Sequence, residues 1–268
     1  MTWRIRFRNV AARLTFSMPT ITEVDRYIVP FLQPEERPGI LGTGIFCVAG
    51  DQHFLVTAAH VTDEGDTGFF GNGFFLSPET TRLIETSLPA SGRREDDRID
   101  VAVLLLSAEA GQRFRAHGRE PLGIDQWNVG HRTAPGQNYV FTGFTHSDLE
   151  RDQRRRQIEP RRVSADCPAL GDDELTRLGL DPRFHIAVNY QRRRMVNQHG
   201  NMGMGPEPAG MSGGPVWTRD PNSENLRWVG VGIEHWREHQ LLVGTRIGAV
   251  IYLLRETVPE LRDTLPLG

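Results

Sequence analysis

Ala209-Gly210-Met211-Ser212-Gly213-Gly214-Pro215-Val216 sets one serine among three glycines, immediately ahead of a proline and an apolar run. Glycine adopts backbone angles closed to other residues, so the segment reads as a tight turn whose N–H groups can converge on one point. A hydroxyl beside converging N–H donors is what acyl transfer requires, because the donors stabilise an oxyanion as it develops. Strand-like text follows the turn, Pro215 to Thr218 and then Arg227 to Ile233. A serine between strands sits on a β scaffold, whereas the nucleophile elbow suggested by Gly210-x-Ser212-x-Gly214 needs a helix directly after the serine.

The same rhythm extends outward. Short apolar runs recur between glycine-rich or polar turns: Gly44 to Val48, Phe54 to Ala58, Gly73 to Leu76, Val101 to Leu106, Tyr139 to Phe144, His185 to Tyr190 and Leu241 to Arg246. Runs of this length at this spacing describe an all-β barrel or sandwich. Leu170 to Leu180 reads as a short helix, and Ile251 to Leu265 as a terminal helix interrupted or restarted at Pro259. Trp3, Ile5 and Phe7 alternate with Arg4, Arg6 and Arg8, the pattern of an edge strand. Residues 1–39, with prolines at 19, 30, 34 and 38, read as a lead-in packed on the domain.

Two further segments carry chemistry. In Phe54-Leu55-Val56-Thr57-Ala58-Ala59-His60-Val61 an apolar strand ends on an imidazole. In Asp100-Val101-Ala102-Val103-Leu104-Leu105-Leu106 a carboxylate opens a very apolar strand, and a buried carboxylate needs a hydrogen-bond partner such as a histidine N–H. In the order His60, Asp100, Ser212, the three segments resemble the trypsin-like (chymotrypsin-fold) serine peptidases: Thr-Ala-Ala-His, Asp-x-Ala-x-Leu and Gly-x-Ser-Gly-Gly-Pro are all there. The resemblance covers roughly residues 40–255. It implies an all-β fold of two antiparallel Greek-key β-barrels, the first about 40–130 and the second about 135–250, with a C-terminal helix over 251–268. It also implies a His60-Asp100-Ser212 triad, an acyl-enzyme on Ser212, an oxyanion hole from the N–H groups of Gly210 and Ser212, and a protein or peptide substrate.

Departures from the family pattern matter as well. Members activated by propeptide cleavage carry an aspartate just before the serine, where this chain has Met211, so no N-terminal ammonium can pair there. Trimming residues 1–20 is therefore not expected to raise activity. Val61 follows His60 where secreted members place a half-cystine, which resembles the bacterial intracellular pattern. For specificity, Val229 to Trp236 resembles the strand that pairs with substrate, and Gly244 to Gly248 the segment closing the primary pocket. His235, Trp236 and Arg246 would then lie near the substrate and favour an acidic side chain, while Glu207 would favour a basic one.

Composition bounds the remaining options. The 268 residues are 38% hydrophobic and 24% charged, which excludes collagen, coiled coil and wholesale disorder. A net charge of −3 argues against a nucleic-acid partner, although all 31 cations are arginines and two basic loops stand out, 146–163 and 192–194. Such loops are either solvated faces or patches for an acidic partner or nucleic acid. No stretch is long and apolar enough for a membrane span or a signal core. The two cysteines, Cys47 expected in a strand and Cys167 in a loop, suit a reducing, cytoplasmic setting. No cofactor or metal is expected: His235-x-x-Glu238-His239 matches a zinc pentad, but it joins two strand-like runs. A small cytoplasmic peptidase calls for control by a regulatory protein partner, as in trypsin-like effectors of bacterial stress or defence operons. The alternative is a catalytically silent binding module on the same fold.

Overall fold

The computed structural model describes residues 2–5, 21–32, 39–63, 68–71, 74–76, 80–152, 157–197, 200–219 and 225–267. Two curled antiparallel sheets account for most of them. The first is built, in chain order, from Ile28–Leu32, Ile40–Ala49, Gln52–Ala58, the hairpin Gly68–Gly71 and Phe74–Leu76, Thr80–Glu85, and Val101–Leu106. Across the sheet these six segments run fourth, first, second, third, sixth, fifth. The second is built from Asn138–Asp152, Gln157–Pro168, His185–Asn189, Pro215–Arg219, Leu226–Trp236 and Leu241–Arg246, and runs third, sixth, fifth, fourth, first, second.

Both orders are one cycle, opened at different points. In the second sheet the break between second and third segments is bridged by an Ala169–Val188 pair and by Leu170 N–H donating to Ala187 O at 2.9 Å. The run fourth-first-second-third is the Greek key. The expected chymotrypsin-like two-barrel fold is therefore present, with a terminal helix at Ile247–Thr257 and a 3-10 turn at Pro259–Leu261.

Period-2 burial explains the strand Val101–Leu106, which is apolar throughout. Val101, Val103 and Leu105 face a core shared with Trp127, Trp217, Trp228 and the terminal helix through Val250, Ile251 and Leu254. Leu104 and Leu106 face the opposite core, with Phe46, Leu55 and Phe114 of the helix Ala108–Ala116. A strand covered on both faces loses the polar alternation of a half-exposed one.

Several expectations need correction. Ile28–Leu32 lies inside the stretch read as a lead-in, yet it pairs with Ile40–Ala49 over Ile28↔Ile45 to Leu32↔Ile40, so the first barrel begins before residue 40. Its prolines disguised it. The basic stretch 146–163 is not a loop: apart from 153–156, which lie outside the described residues, it forms the outer part of the hairpin Asn138–Asp152/Gln157–Pro168. Cys167 sits in that hairpin, and both cysteines are buried and unbridged, with burial raising both thiol pKa values well above the ordinary range. Thr2–Ile5 is not an edge strand. It runs parallel to Gln157–Pro168 and antiparallel to Met195–Asn197, between the two; residues 6–8 lie outside the described residues.

A strand flanked on both sides cannot lose an N–H cheaply. Arg4 is paired with Asp166 on one side and Val196 on the other. Arg4→Pro is expected to lower stability by about 1–3 kcal/mol in a urea melt, with the loss of one ladder bond and distortion at the ring. An unchanged midpoint would show that the strand contributes nothing.

Candidate active site

His60 and Asp100 meet where two strands end. The strand Gln52–Ala58 runs into a single helical turn, Ala59–Thr62, that carries His60 outward, and Asp100 immediately precedes Val101–Leu106, the neighbouring strand. Asp100 is 6% exposed and takes a left-handed φ of 45°. Aspartate tolerates that region better than most residues. The carboxylate accepts twice from the histidine: Oδ2 from the ring at Nδ1 (2.6 Å) and Oδ1 from the backbone N–H (2.9 Å). Nδ1 therefore carries the proton and Nε2 presents a lone pair. Burial works against a charged ring, but the hydrogen bond and charge of Asp100, with Asp63 and Glu234 adding, outweigh it and raise the His60 pKa above its ordinary value.

The second barrel holds the loop bearing Asp100. Thr245 Oγ1 donates to Ile99 O at 2.7 Å, and the buried His185 ring bonds Arg98 O through Nε2 at 2.9 Å. Its Nδ1 lies 3.1 Å from Asp181 N and 3.0 Å from Asp181 O, which ties the ring to the loop ahead of its own strand.

The serine turn is held in the opposite sense, by the first barrel. Thr43, fully buried, donates from its N–H to Ser212 O (2.7 Å) and from Oγ1 to Gly210 O (3.0 Å). The same Oγ1 accepts from Phe144 N–H at 2.9 Å, and Thr43 O accepts from Thr57 Oγ1 at 2.8 Å. Gly213 has φ 84°, and a Cβ there would stand 2.0 Å from Thr43 O; a Cβ on Gly210, φ 96°, would meet Phe144 O at 2.9 Å. Only glycine fits either place. Within the turn, the N–H groups of Met211, Gly213 and Gly214 donate to Pro208 O, Gly232 O and Met211 O. Among the described residues, those of Gly210 and Ser212 donate to no protein acceptor. Ser212 Oγ donates to Ile233 O at 3.3 Å and makes no hydrogen bond to His60. Met211 packs with Phe141, Val216 and Leu242, so apolar contact takes the place of an ion pair behind the serine.

A cavity of about 170 Å³ opens at Ser212, walled by Phe141, Met211, Leu242 and Val243, with Glu207 and His235 among its polar residues. Of the four expected specificity residues these two are at the site. Arg246 is not: it is buried and bonds Pro182 O, His131 O and Thr133 Oγ1. Trp236 lines no cavity at the serine, and Arg98 stacks on it at 5.6 Å. For Trp236 the cause is a bulge; Arg246 pairs with Gly230, on the regular side of it. Gly232 pairs with Gly244 but Glu234 with Val243, leaving Ile233 unmatched and reversing the faces beyond it. Arg237, which the sequence gave no reason to select, lines the cavity. His239 packs beside Trp236 in the hairpin turn, and among the described residues no three metal-ligating side chains gather.

Neither family models nor curated proteins match this chain. Solved structures do. One is neuropsin, a serine protease expressed in the limbic system of mouse brain, which superposes with a TM-score of 0.53 at 15% identity, over 87% of this chain and 94% of that one. The fold is that of the trypsin-like serine proteases. No helix among the described residues is long and apolar enough to cross a membrane.

Thr43→Val keeps the shape but strips the partner from Gly210 O and Phe144 N–H, both buried. A stability loss of about 2–4 kcal/mol is expected. If the turn is catalytic, kcat should fall with little change in KM, and Thr43→Ser should restore both; a Thr43→Val protein as stable as wild type would refute the clamp.

Proposed function

We propose that this protein is a serine endopeptidase in which Ser212 is the nucleophile, His60 the general base and Asp100 its orienting anion. The observation that carries the proposal is the serine turn, with two N–H groups, of Gly210 and Ser212, that have no protein acceptor among the described residues and flank a lone hydroxyl. In the proposed reaction, Ser212 Oγ turns from Ile233 O to His60 Nε2, gives up its proton and bonds the scissile carbonyl carbon. The carbonyl oxygen takes the negative charge into the hole formed by Gly210 and Ser212, where each donor contributes about 3 kcal/mol. His60, now cationic and held by Asp100, protonates the leaving amine, and water repeats the sequence to release the acyl group.

The resting serine supports the further element of control by a regulatory protein partner. Its bond to Ile233 O must break before the triad closes, and a binding event at the Ile233 bulge would supply that switch. Two buried, unbridged cysteines support a cytoplasmic setting, and the bacterial stress or defence context belongs to the same proposal. The same serine orientation favours a second reading, a silent module on the peptidase fold.

Fluorophosphonate labelling with intact-mass readout separates the two. A single adduct, absent from Ser212→Ala, is expected, as is a loss of about 10⁴-fold or more in kcat for that variant. A fully active Ser212→Ala protein would defeat the assignment, and no adduct in the presence or absence of cell extract would favour the silent module. For pH, the base must be neutral to act, so a raised His60 pKa moves the acid limb of kcat/KM above the ordinary 6.5. Asp100→Asn, lacking the charge that raises it, should lower the rate and move that limb to lower pH.

A further inference from the structure

Beside the serine cavity lies a larger one of about 760 Å³, lined by Tyr190, the turn Arg192–Arg194 and Gln240 and sharing Glu207, His235 and Arg237 with its neighbour. Its wall is tied to the serine turn by the backbone. Gly205 N–H donates to Arg192 O (2.7 Å), Arg192 Nε donates back to Gly205 O (3.1 Å), and Tyr190 OH donates to Pro206 O (2.8 Å). From Pro206 the chain passes directly through Glu207 to the turn that carries Ser212.

The charge on this wall is one-sided. Four guanidinium groups face one carboxylate, and that carboxylate is engaged: Arg192 pairs with Glu207 Oε2, while Arg237 reaches Oε1 at 3.4 Å and the His235 ring lies 3.8 Å away. Glu207 thus has no charge left over for a basic substrate. Burial lowers the His235 pKa, with the Arg237 and Arg192 charges acting in the same direction against Glu207, so this ring is neutral near pH 7. Arg193 and Arg194 are exposed and make no ion pair among the described residues. The serine cavity itself is small, with Phe141, Met211, Ile233, Leu242 and Val243 as its apolar wall and its charged residues, Glu234 aside, shared with the larger cavity.

We propose that the arginine-lined cavity receives carboxylate side chains of the substrate, so that this protein cleaves acidic segments, with a small or medium apolar residue seated beside Ser212. The proposal rests on the peptidase reading for the cleavage, but not for the binding. Guanidinium groups pair bidentately with carboxylates, and a cavity of this size admits two or three side chains. Charge complementarity outside the reacting atoms acts on encounter and affinity, so the preference should weaken as salt rises.

The test uses the full chain with Ser212→Ala, which binds without cutting, and fluorescent random decapeptide pools carrying either two adjacent Glu or two adjacent Gln. Anisotropy at low salt should show the Glu pool bound at least about tenfold more tightly. Arg193→Gln with Arg194→Gln should remove most of that difference and leave the Gln pool unchanged. Equal binding of the two pools, or a preference that survives the double substitution, overturns the inference. So does displacement of the Glu pool by a short oligonucleotide at lower concentration than by unlabelled Glu peptide, which would assign the cavity to nucleic acid. Fluorophosphonate labelling of wild-type Ser212 reports separately on the peptidase reading: an adduct without an acidic preference removes only the inference, and acidic binding without an adduct removes only the catalysis.

Discussion

Each barrel of this protein holds the loop that the other needs. Thr43, in the first sheet, fixes the carbonyls of Gly210 and Ser212 in the second barrel's turn, and Thr245 and His185, in the second, fix the carbonyls of Ile99 and Arg98 ahead of Asp100. Neither loop is regular structure, so these carbonyls have no ladder partners of their own and depend on Thr43, Thr245 and His185. The geometry at the cleft is therefore a property of the pair of barrels. A shift of one against the other would break four buried or half-buried hydrogen bonds at once, which is a steep restoring force against sliding.

That exchange also accounts for what the sequence could and could not reveal. Residues whose function is fixed by their chemical neighbours in the chain were legible: Ser212 among its glycines, Asp100 at the head of a strand, His60 at the end of one. Thr43, Thr245 and His185 were not, because nothing adjacent to them in sequence distinguishes a clamp from an ordinary strand residue; the carbonyls they hold lie between 87 and 169 positions away. Most strand positions were readable from apolar runs. Thr80–Glu85 was missed because one side of it is solvent-exposed and its pairing with Val101–Leu106 is irregular between Thr80 and Arg82. Ile28–Leu32 was missed because Pro30 lies within it and further prolines flank it.

Specificity was the least legible part, and within the strand Leu226–Trp236 the reason is a single residue. The unmatched Ile233 reverses which side chains beyond it face the cleft, sending Trp236 away and bringing Arg237 in beside the expected His235. A period-2 rule cannot anticipate such a reversal. The same bulge leaves Ile233 O free to accept the Ser212 hydroxyl. One local irregularity thus bears on both the lining of the site and the resting position of its proposed nucleophile.

The seating of Thr2–Ile5 has a consequence for the order in which the molecule can be made. Its neighbours are residues 164–166 and 195–197, so this strand cannot find its place until more than 150 further residues have been made. Contacts so distant in sequence are slow to form. Until then the second sheet has a gap where this strand belongs, bordered by Gln157–Pro168 on one side and by the segment leading back to the arginine turn on the other. Closure of that gap therefore has to follow the synthesis of residues 164–197.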